Sequence, residues 1–593
     1  MTHRWKDGSG YPRHLPPDCH RTRCSFGPAT FTRPEFRPLP CRRSRRRARG
    51  ESIDWLKILL RDGVTAVRDG VLAAVSFVPT QAELDAAAQL QNRAAELEQI
   101  AASYPLPAMD TLALRYEYTA AGRVKIHKIV RTKDEEILIP VATPLGVPAR
   151  LRFMDEREAY GLRCVVQDMN GRPRAIDLDR AALPRMAAAE IRSLLFSAGL
   201  RTEGEGEAVA VQILKAADPE QEIIAVRRPG WHQIAGYPDP TFVAPSGEVI
   251  GAPAGLDLEL ITSARIAPDV AQSGTMDGWP DAVTMAVSVR RCPHWTLGVV
   301  AGFAGTIIDL TGLDTCGINY SGLSSTGKSL SQRLSVSPWS SPDIRRKGLA
   351  QSARATDNSV ESMAQRGTGT ILSLDELAHV AGKILAKMIY MIAGGVGKGR
   401  MSPDVGERDN QTWKTFAVLS GECSLEEKIR SDGGEWLAGM AVRIIDVDVT
   451  EVDRKVEALK LRAIDGIERH YGHAGPAFIR ALVENGAHRK PAELRDRIFQ
   501  AASELAGEGA AGMLTRAATP LAVLLVAGEL AAGFSLLPDK TQIKEAVQWA
   551  WGNFLRSSDA APLDPEVQLI SNLQTWIAER WDNKERRSPK RPQ

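Results

Sequence analysis

Gly322, Gly327, Lys328 and Ser329 stand at the spacing G-x-x-x-x-G-K-[ST], inside the run SGLSSTGKS (321–329). Two glycines at that interval let successive backbone N–H groups turn toward a single anion. Gly322, Ser324, Ser325, Thr326 and Gly327 would cradle phosphate. Lys328 would bring its ammonium to the β- and γ-phosphates, and Ser329 would offer a hydroxyl to Mg2+. A plain Gly/Ser turn ahead of a helix has the same letters, so the surrounding residues must decide. Downstream, TILSLDE (370–376) is an apolar run that ends in two carboxylates. After a phosphate loop, Asp375 would hold Mg2+ through its water shell and Glu376 would polarise the attacking water. Ser420 closes the apolar run KTFAVLS (414–420). It would orient the water or the γ-phosphate, or else be a strand-end serine in a turn. The chemistry in view is hydrolysis of ATP with Mg2+ as cofactor.

Positioning such groups requires strands that end at one edge. Thr315–Tyr320 reads as a short strand leading into the loop, and Lys328–Val336 as a helix whose N-terminal dipole faces the phosphate. Ala441–Val449 reads as a further strand, in which Arg443 is either a γ-phosphate sensor or an edge residue turned to water. Between Glu376 and Ser420 lies GGVGKGR (394–400), with glycines flanking two cations. Arg400 there would be an arginine finger entering a neighbouring subunit, or Lys398 and Arg400 would grip single-stranded DNA. A solvated basic turn is the plain alternative. The fold class expected is α/β: a P-loop NTPase (RecA/AAA+-like) three-layer core, preceded by a smaller α+β domain and followed by a helical region. The expected boundaries are a disordered basic extension at 1–50, a helical segment at 51–109 and an α+β domain at 110–277. The ATPase core spans 278–450, a helical region 451–565, and a helix with a basic tail 566–593. In the α+β part, Leu112–Thr119, Arg123–Val130, Glu136–Ala142 and Cys164–Gln167 read as strands, and Leu183–Ala198 as a helix.

Composition sets outer bounds. The chain has 593 residues, 44% hydrophobic and 25% charged, as in ordinary globular proteins. The net charge of +3 conceals an uneven spread: residues 1–50 carry thirteen Lys/Arg against three Asp/Glu. The remainder is therefore not basic, and nucleic-acid contact would come from local patches. Seven cysteines form no C-x-x-C pair, which argues against a zinc ribbon or a redox motif. His14, Cys19, His20 and Cys24 lie close together but fit no standard metal spacing. No apolar stretch follows the basic N-terminus as a signal peptide would, and the apolar runs 295–308 and 521–534 read as core. A cytoplasmic protein with no membrane partner is expected.

Several runs resemble the family of bacterial and phage proteins called domain of unknown function 927. They are GLSSTGKS (322–329), ATDNSVESMAQ (355–365), LSLDEL (372–377), IYMIAGGVGKGRM (389–401) and LSGECSLEE (419–427). GWHQIAGYPDPTFVAPSGEVIG (230–251) and HYGHAGPAFIRALVEN (470–485) add to the likeness, which covers about residues 105–560. The resemblance implies a P-loop ATPase related to the helicase parts of phage and plasmid primase–helicases. It also implies a setting in mobile elements, and since the sequence shows no primase metal-binding motif, any primase partner is expected to be a separate polypeptide. Thr356, Asn358 and Glu361 belong to one of these runs, where a helix N-cap at Thr356 accounts for them. Together the motifs and the resemblance point to an oligomeric, Mg2+-dependent ATPase that moves along DNA. A hexamer or similar ring follows if Arg400 acts in trans. The alternative is a non-helicase ATPase switch whose nucleotide state controls a protein partner.

Overall fold

The computed structural model describes residues 81–580, apart from 134, 155–157, 181–182, 184–187, 263–271, 347, 354–356, 398–410, 454, 539, 561–562, 564–568, 571–572, 575 and 579. The chain divides into two units, Met1–Glu96 and Leu97–Gln593. In the first, the described residues are helical and open the helix Gln81–Ser103. Everything below concerns the second.

Strand-forming runs dominate its first part. β1 (Leu114–Tyr118), β2 (Val124–Arg131) and β3 (Glu136–Ala142) form an antiparallel meander. β4 (Leu145–Phe153), β5 (Ala159–Gln167), β6 (Pro173–Asp179), β7 (Glu222–Val226) and β11 (Leu258–Leu260) form a five-stranded sheet in the order β11-β7-β4-β5-β6. β8 (Gly230–His232), β9 (Thr241–Val243) and β10 (Val249–Ile250) make a small antiparallel sheet. The structure adds β4, β6, β7, β8 and β11 to the strands read from sequence. Pro148 argues against a strand at β4, yet it falls where the pairing with β5 slips between Gly146 and Ala149, a site where proline is tolerated. The helix expected at 183–198 is described over Ala188–Ser197.

The second part is built on a parallel sheet. β12 (Cys316–Ser321), β13 (Ala350–Ser352), β14 (Ile371–Asp375), β15 (Phe416–Ser420) and β16 (Ile444–Asp448) lie in the order β13-β14-β15-β12-β16. Successive side chains of β14 and β15 point to opposite faces, and both faces are apolar. Ile371, Phe416 and Val418 join one core with Ile318, Tyr320 and Val447. Leu372, Leu374, Ala417 and Leu419 join another with Val360, Leu385, Ile389 and Ile429. The second core takes its α-helical residues from Asp357–Arg366, Gly382–Gly394, Leu425–Ser431 and Ala438–Ala441. Helices therefore cover both faces. Near the expected strand 441–449, Ala438–Ala441 is a short helix, so the strand starts only after Arg443.

The helix Pro293–Thr311 lies on the first of these faces. Pro293 suits the first helical turn, and Gly312, at φ 70°, ends the helix in a left-handed cap. Sixteen of its nineteen residues are buried. Gly298, Gly302 and Gly305 form a stripe along it that permits backbone contact. A Cβ on Gly305 would sit 1.7 Å from the Thr370 carbonyl oxygen, just before β14. The helix Gly512–Gly533 is apolar and long enough to cross a bilayer by length and composition. Here it packs in the core, where Gly528 leaves room for Val300 of the central helix.

Candidate functional site

Parallel strands bring their carboxyl ends to one edge, and turns leaving that edge are where α/β sheets hold ligands. Tyr320 is in register with Ser420, and Leu374 with Leu419. The register places the loop after β12, Ser420 at the end of β15, and Asp375 at the end of β14 along that edge.

The loop takes its shape from three left-handed residues: Gly322 (φ 136°), Ser325 (φ 66°) and Gly327 (φ 88°). The helix Lys328–Val336 begins immediately afterwards, so its first N–H groups are free of intrahelical partners. Lys328 donates from its ammonium to the Gly322 carbonyl and, at 2.9 Å, to the Leu323 carbonyl. Its cation thus lies against the loop's own backbone. Leu323, Ser324, Ser325 and Ser329 are exposed, whereas Thr326 and Gly327 are buried. Beneath them lies a floor supplied by the central helix. His294 Nε2 is 2.9 Å from the Thr326 carbonyl oxygen. Burial holds this histidine down to about pKa 3, against the opposing pull of that hydrogen bond, so it is neutral and donates from Nε2. The Trp295 indole nitrogen lies 2.5 Å from where a Cβ on Gly327 would stand. Glycine at 327 is required twice, by φ and by space.

Asp375 accepts a hydrogen bond from Ser420 Oγ at 2.5 Å and another from the Glu376 N–H at 2.9 Å. Glu376 is exposed and held at φ 64°, ψ 50°. That conformation costs a side-chain-bearing residue about 1–2 kcal/mol and is tolerated most often at working sites. A hydroxyl from Ser329 and a carboxylate from Asp375, with water completing the shell, make a hard-oxygen donor set suited to Mg2+. Among the described residues no group of three or more His, Cys, Asp or Glu could hold a metal ion by itself. These residues fit a magnesium–triphosphate, in which the nucleotide would share the metal.

Two buried polar connections behind the edge were not foreseen from sequence. Gln332, one turn beyond Ser329, donates from Nε2 to the Leu374 carbonyl at 2.8 Å and lies 3.5 Å from the Val418 carbonyl. Asn319 of β12 donates to Asp446 Oδ1 at 2.5 Å, while the Leu425 N–H donates to Asp446 Oδ2 at 2.8 Å. Burial pushes Asp446 up to about pKa 8; the hydrogen bond from Asn319 opposes this, and nearby Asp559 adds to it. A helical i, i+4 count from Lys328 would have marked Gln332. Nothing in the alternating run AVRIIDVDV marks Asp446 as the buried acid.

Arg443 lies at the other end of the sheet. Its carbonyl accepts from the Gly317 N–H beside the start of β12. Its guanidinium donates to the Gly439 carbonyl at 2.6 Å and sits 5.4 Å from the Tyr390 ring centroid. The γ-phosphate-sensor alternative is therefore set aside, because Arg443 packs a full strand length from the phosphate loop. Glu361 is buried, with its carboxylate 3.1 Å from the Cβ position of Gly397. Lys398, Arg400, Thr356 and the cluster His14, Cys19, His20 and Cys24 lie outside the described residues, as does the side chain of Asn358.

Residues 116–412, about half of the chain, match the family described as "Domain of unknown function (DUF927)". No curated protein matches the chain. Among solved structures, one described as "SCCmec type IV Cch - active helicase" is similar at 17% identity with a TM-score of 0.57. That likeness covers 78% of this chain and 82% of the other, and at such identity it is one of fold. NtrX from Brucella abortus is similar at 17% identity over 33% of this chain and 48% of its own, but with a TM-score of 0.19 it carries no argument.

Proposed function

We propose that this chain, which belongs to the DUF927 family, is a Mg2+-dependent ATPase of the P-loop class that works as a helicase-like motor on DNA. The single observation that carries this reading is the shared strand edge, where the Gly322–Ser329 loop lies in register with Ser420 and Asp375. The structural likeness to a protein described as a helicase supports the motor over other ATPases.

Bound ATP·Mg2+ would supply the phosphoryl group and the charge that draws its electrons. The chain's own residues do the rest. The loop's N–H groups and the N-terminus of helix 328–336 bind the phosphates, and the Lys328 ammonium moves from loop carbonyls to phosphate oxygens. The Ser329 hydroxyl and the Asp375 carboxylate would hold the metal. Ser420 fixes the Asp375 carboxylate by donating to it. Glu376 projects from a strained turn and takes the proton of the attacking water. Arg400 acts either as a finger reaching a neighbour's site or, with Lys398, as a grip on single-stranded DNA. The first role implies a ring of several copies, such as a hexamer, and a primase would act as a separate partner in replication of a mobile element.

The test is ATP hydrolysis by the purified chain with and without single-stranded DNA, followed by unwinding of tailed duplexes, with Lys328→Ala as control. DNA-stimulated hydrolysis and unwinding, both lost in the control, are expected. Hydrolysis indifferent to DNA, with no unwinding, would replace the motor with an ATPase switch acting on a protein partner. No hydrolysis under any condition would remove both.

A further inference from the structure

Gln332 is almost fully buried, at 4% exposure, on a helix whose other buried residues are Leu330, Ser331, Leu334, Ser335 and Val336. Its placement on the helix is specific. It follows Lys328 by four residues and Ser329 by three, so it lies one turn below both on the face turned to the sheet. From there one amide nitrogen faces two strands at once, bonding the Leu374 carbonyl and approaching that of Val418. Leu374 immediately precedes Asp375, and Val418 precedes Ser420 by two residues. The amide therefore spans β14 and β15 at their last rungs, directly under the pair joined by the Ser420–Asp375 hydrogen bond.

The other half of the same side chain is poorly served. Gln332 Oε1 is buried with no hydrogen-bond partner. An orphaned acceptor of this kind opposes folding, and a Leu or Met of similar size would avoid it. The residue is thus a poor choice for packing and a good one for presenting two uncharged N–H donors. Lysine would bury a charge here, and glutamate would set a carboxylate against two carbonyl oxygens.

We infer that Gln332 is a positioning residue for the metal: it ties the phosphate-loop helix to the strand ends, so that Ser329 and Asp375 hold a fixed spacing. The inference rests on the Mg–ATP reading above. Gln332 touches neither nucleotide nor metal. It acts by fixing the peptide that carries Asp375 relative to the helix that carries Ser329, as outer-shell partners orient metal ligands elsewhere.

The test reads metal affinity apart from turnover. Mg2+ is titrated into wild type and Gln332→Met, each bound to a fluorescent non-hydrolysable ATP analogue. The half-saturating Mg2+ concentration is expected to rise about 10–100-fold in the variant. Analogue affinity in EDTA should change little. So should the melting temperature without nucleotide, because the variant loses two donors but also sheds the orphaned oxygen. If Gln332→Met does not fold, Gln332→Asn, whose shorter amide cannot span both carbonyls, should show the same rise. A lowered melting temperature with an unchanged Mg2+ requirement would make Gln332 a packing residue only and overturn the inference. Wild type that binds no analogue at all would bring down the Mg–ATP reading and this inference together, whereas Mg2+-tightened binding in wild type with no effect of the variant removes this inference alone.

Discussion

Replacing Asp446 by asparagine should make the protein less sensitive to alkaline pH. Asp446 is 4% exposed, and its oxygens take hydrogen bonds from Asn319 and the Leu425 N–H. Burial raises its pKa from 3.8 to about 8. Between those values the folded chain holds a proton that the unfolded chain has lost, so stability falls as pH rises. The contribution is fully present below pH 3.8, declines by about 1.4 kcal/mol per pH unit, and is gone above about pH 8, a loss on the order of 5 kcal/mol. Asparagine removes that titration without emptying the site. Its carbonyl can still accept from the Leu425 N–H, and its amide can donate to Asn319 Oδ1 once the Asn319 amide turns over, because Nδ2 faces that position in the wild type. Asp559, raised by burial to about pKa 6, titrates in both proteins and largely cancels in the comparison. Melting curves of wild type and Asp446→Asn at each unit from pH 5 to 9 would measure the effect. By pH 5 the wild type has already lost about 1.6 kcal/mol, so the variant should lead by about 1–3 kcal/mol there, one exchanged hydrogen bond setting the spread. The variant should gain steadily as pH rises and be clearly the more stable at pH 9. A melting difference that stays flat from pH 5 to 9 would refute the reasoning, for Asp446 would then be ionised throughout.

Three other outcomes are expected. Glu376→Gln should reduce ATP hydrolysis by about 10²–10⁴-fold while leaving binding of a fluorescent ATP analogue intact, as loss of a general base does. Gly327→Ala should lower stability by at least about 1–2 kcal/mol from its left-handed backbone, with more from the encounter with Trp295, and should abolish analogue binding. Ser420→Ala frees one oxygen of Asp375, so the Mg2+ requirement for analogue binding should rise about tenfold or more with little change in melting temperature.

The loop and the acid run stood out because the proposed phosphate and magnesium chemistry calls for residue types at fixed intervals, and the strand register brings both to one edge. The strands feeding them were legible for a related reason: a parallel strand covered on both faces is a continuous apolar run, as ILSLD and FAVLS are. β4 was hidden by Pro148 and by Arg150 and Arg152, which alternate with buried Leu151 and Phe153 on a half-exposed strand. Arg443 was placed inside a strand that in fact starts three residues later than expected, at Ile444, enough to leave its two roles open until the sheet's direction was known. Helical spacing from Lys328 places Gln332 on the sheet-facing side of its helix, but His294 and Asp446 act through tertiary neighbours distant in sequence, and no local pattern distinguishes a buried imidazole or carboxyl from an exposed one.

The burial of helix Pro293–Thr311 bears on how the gene can be cut. This segment is synthesised long before Gly512–Gly533 and Lys540–Leu555, whose side chains complete its covering. A recombinant piece ending at residue 450 would keep Gly322–Ser329, Asp375, Glu376 and Ser420 yet leave Val300 and Phe303 bare on its flank. Such a piece should precipitate or attract chaperones, and coexpression with residues 451–580 as a separate polypeptide should return it to solution. The sheet that carries Gly322–Ser329 thus has its covering completed only when the helices Gly512–Gly533 and Lys540–Leu555 fold back onto it.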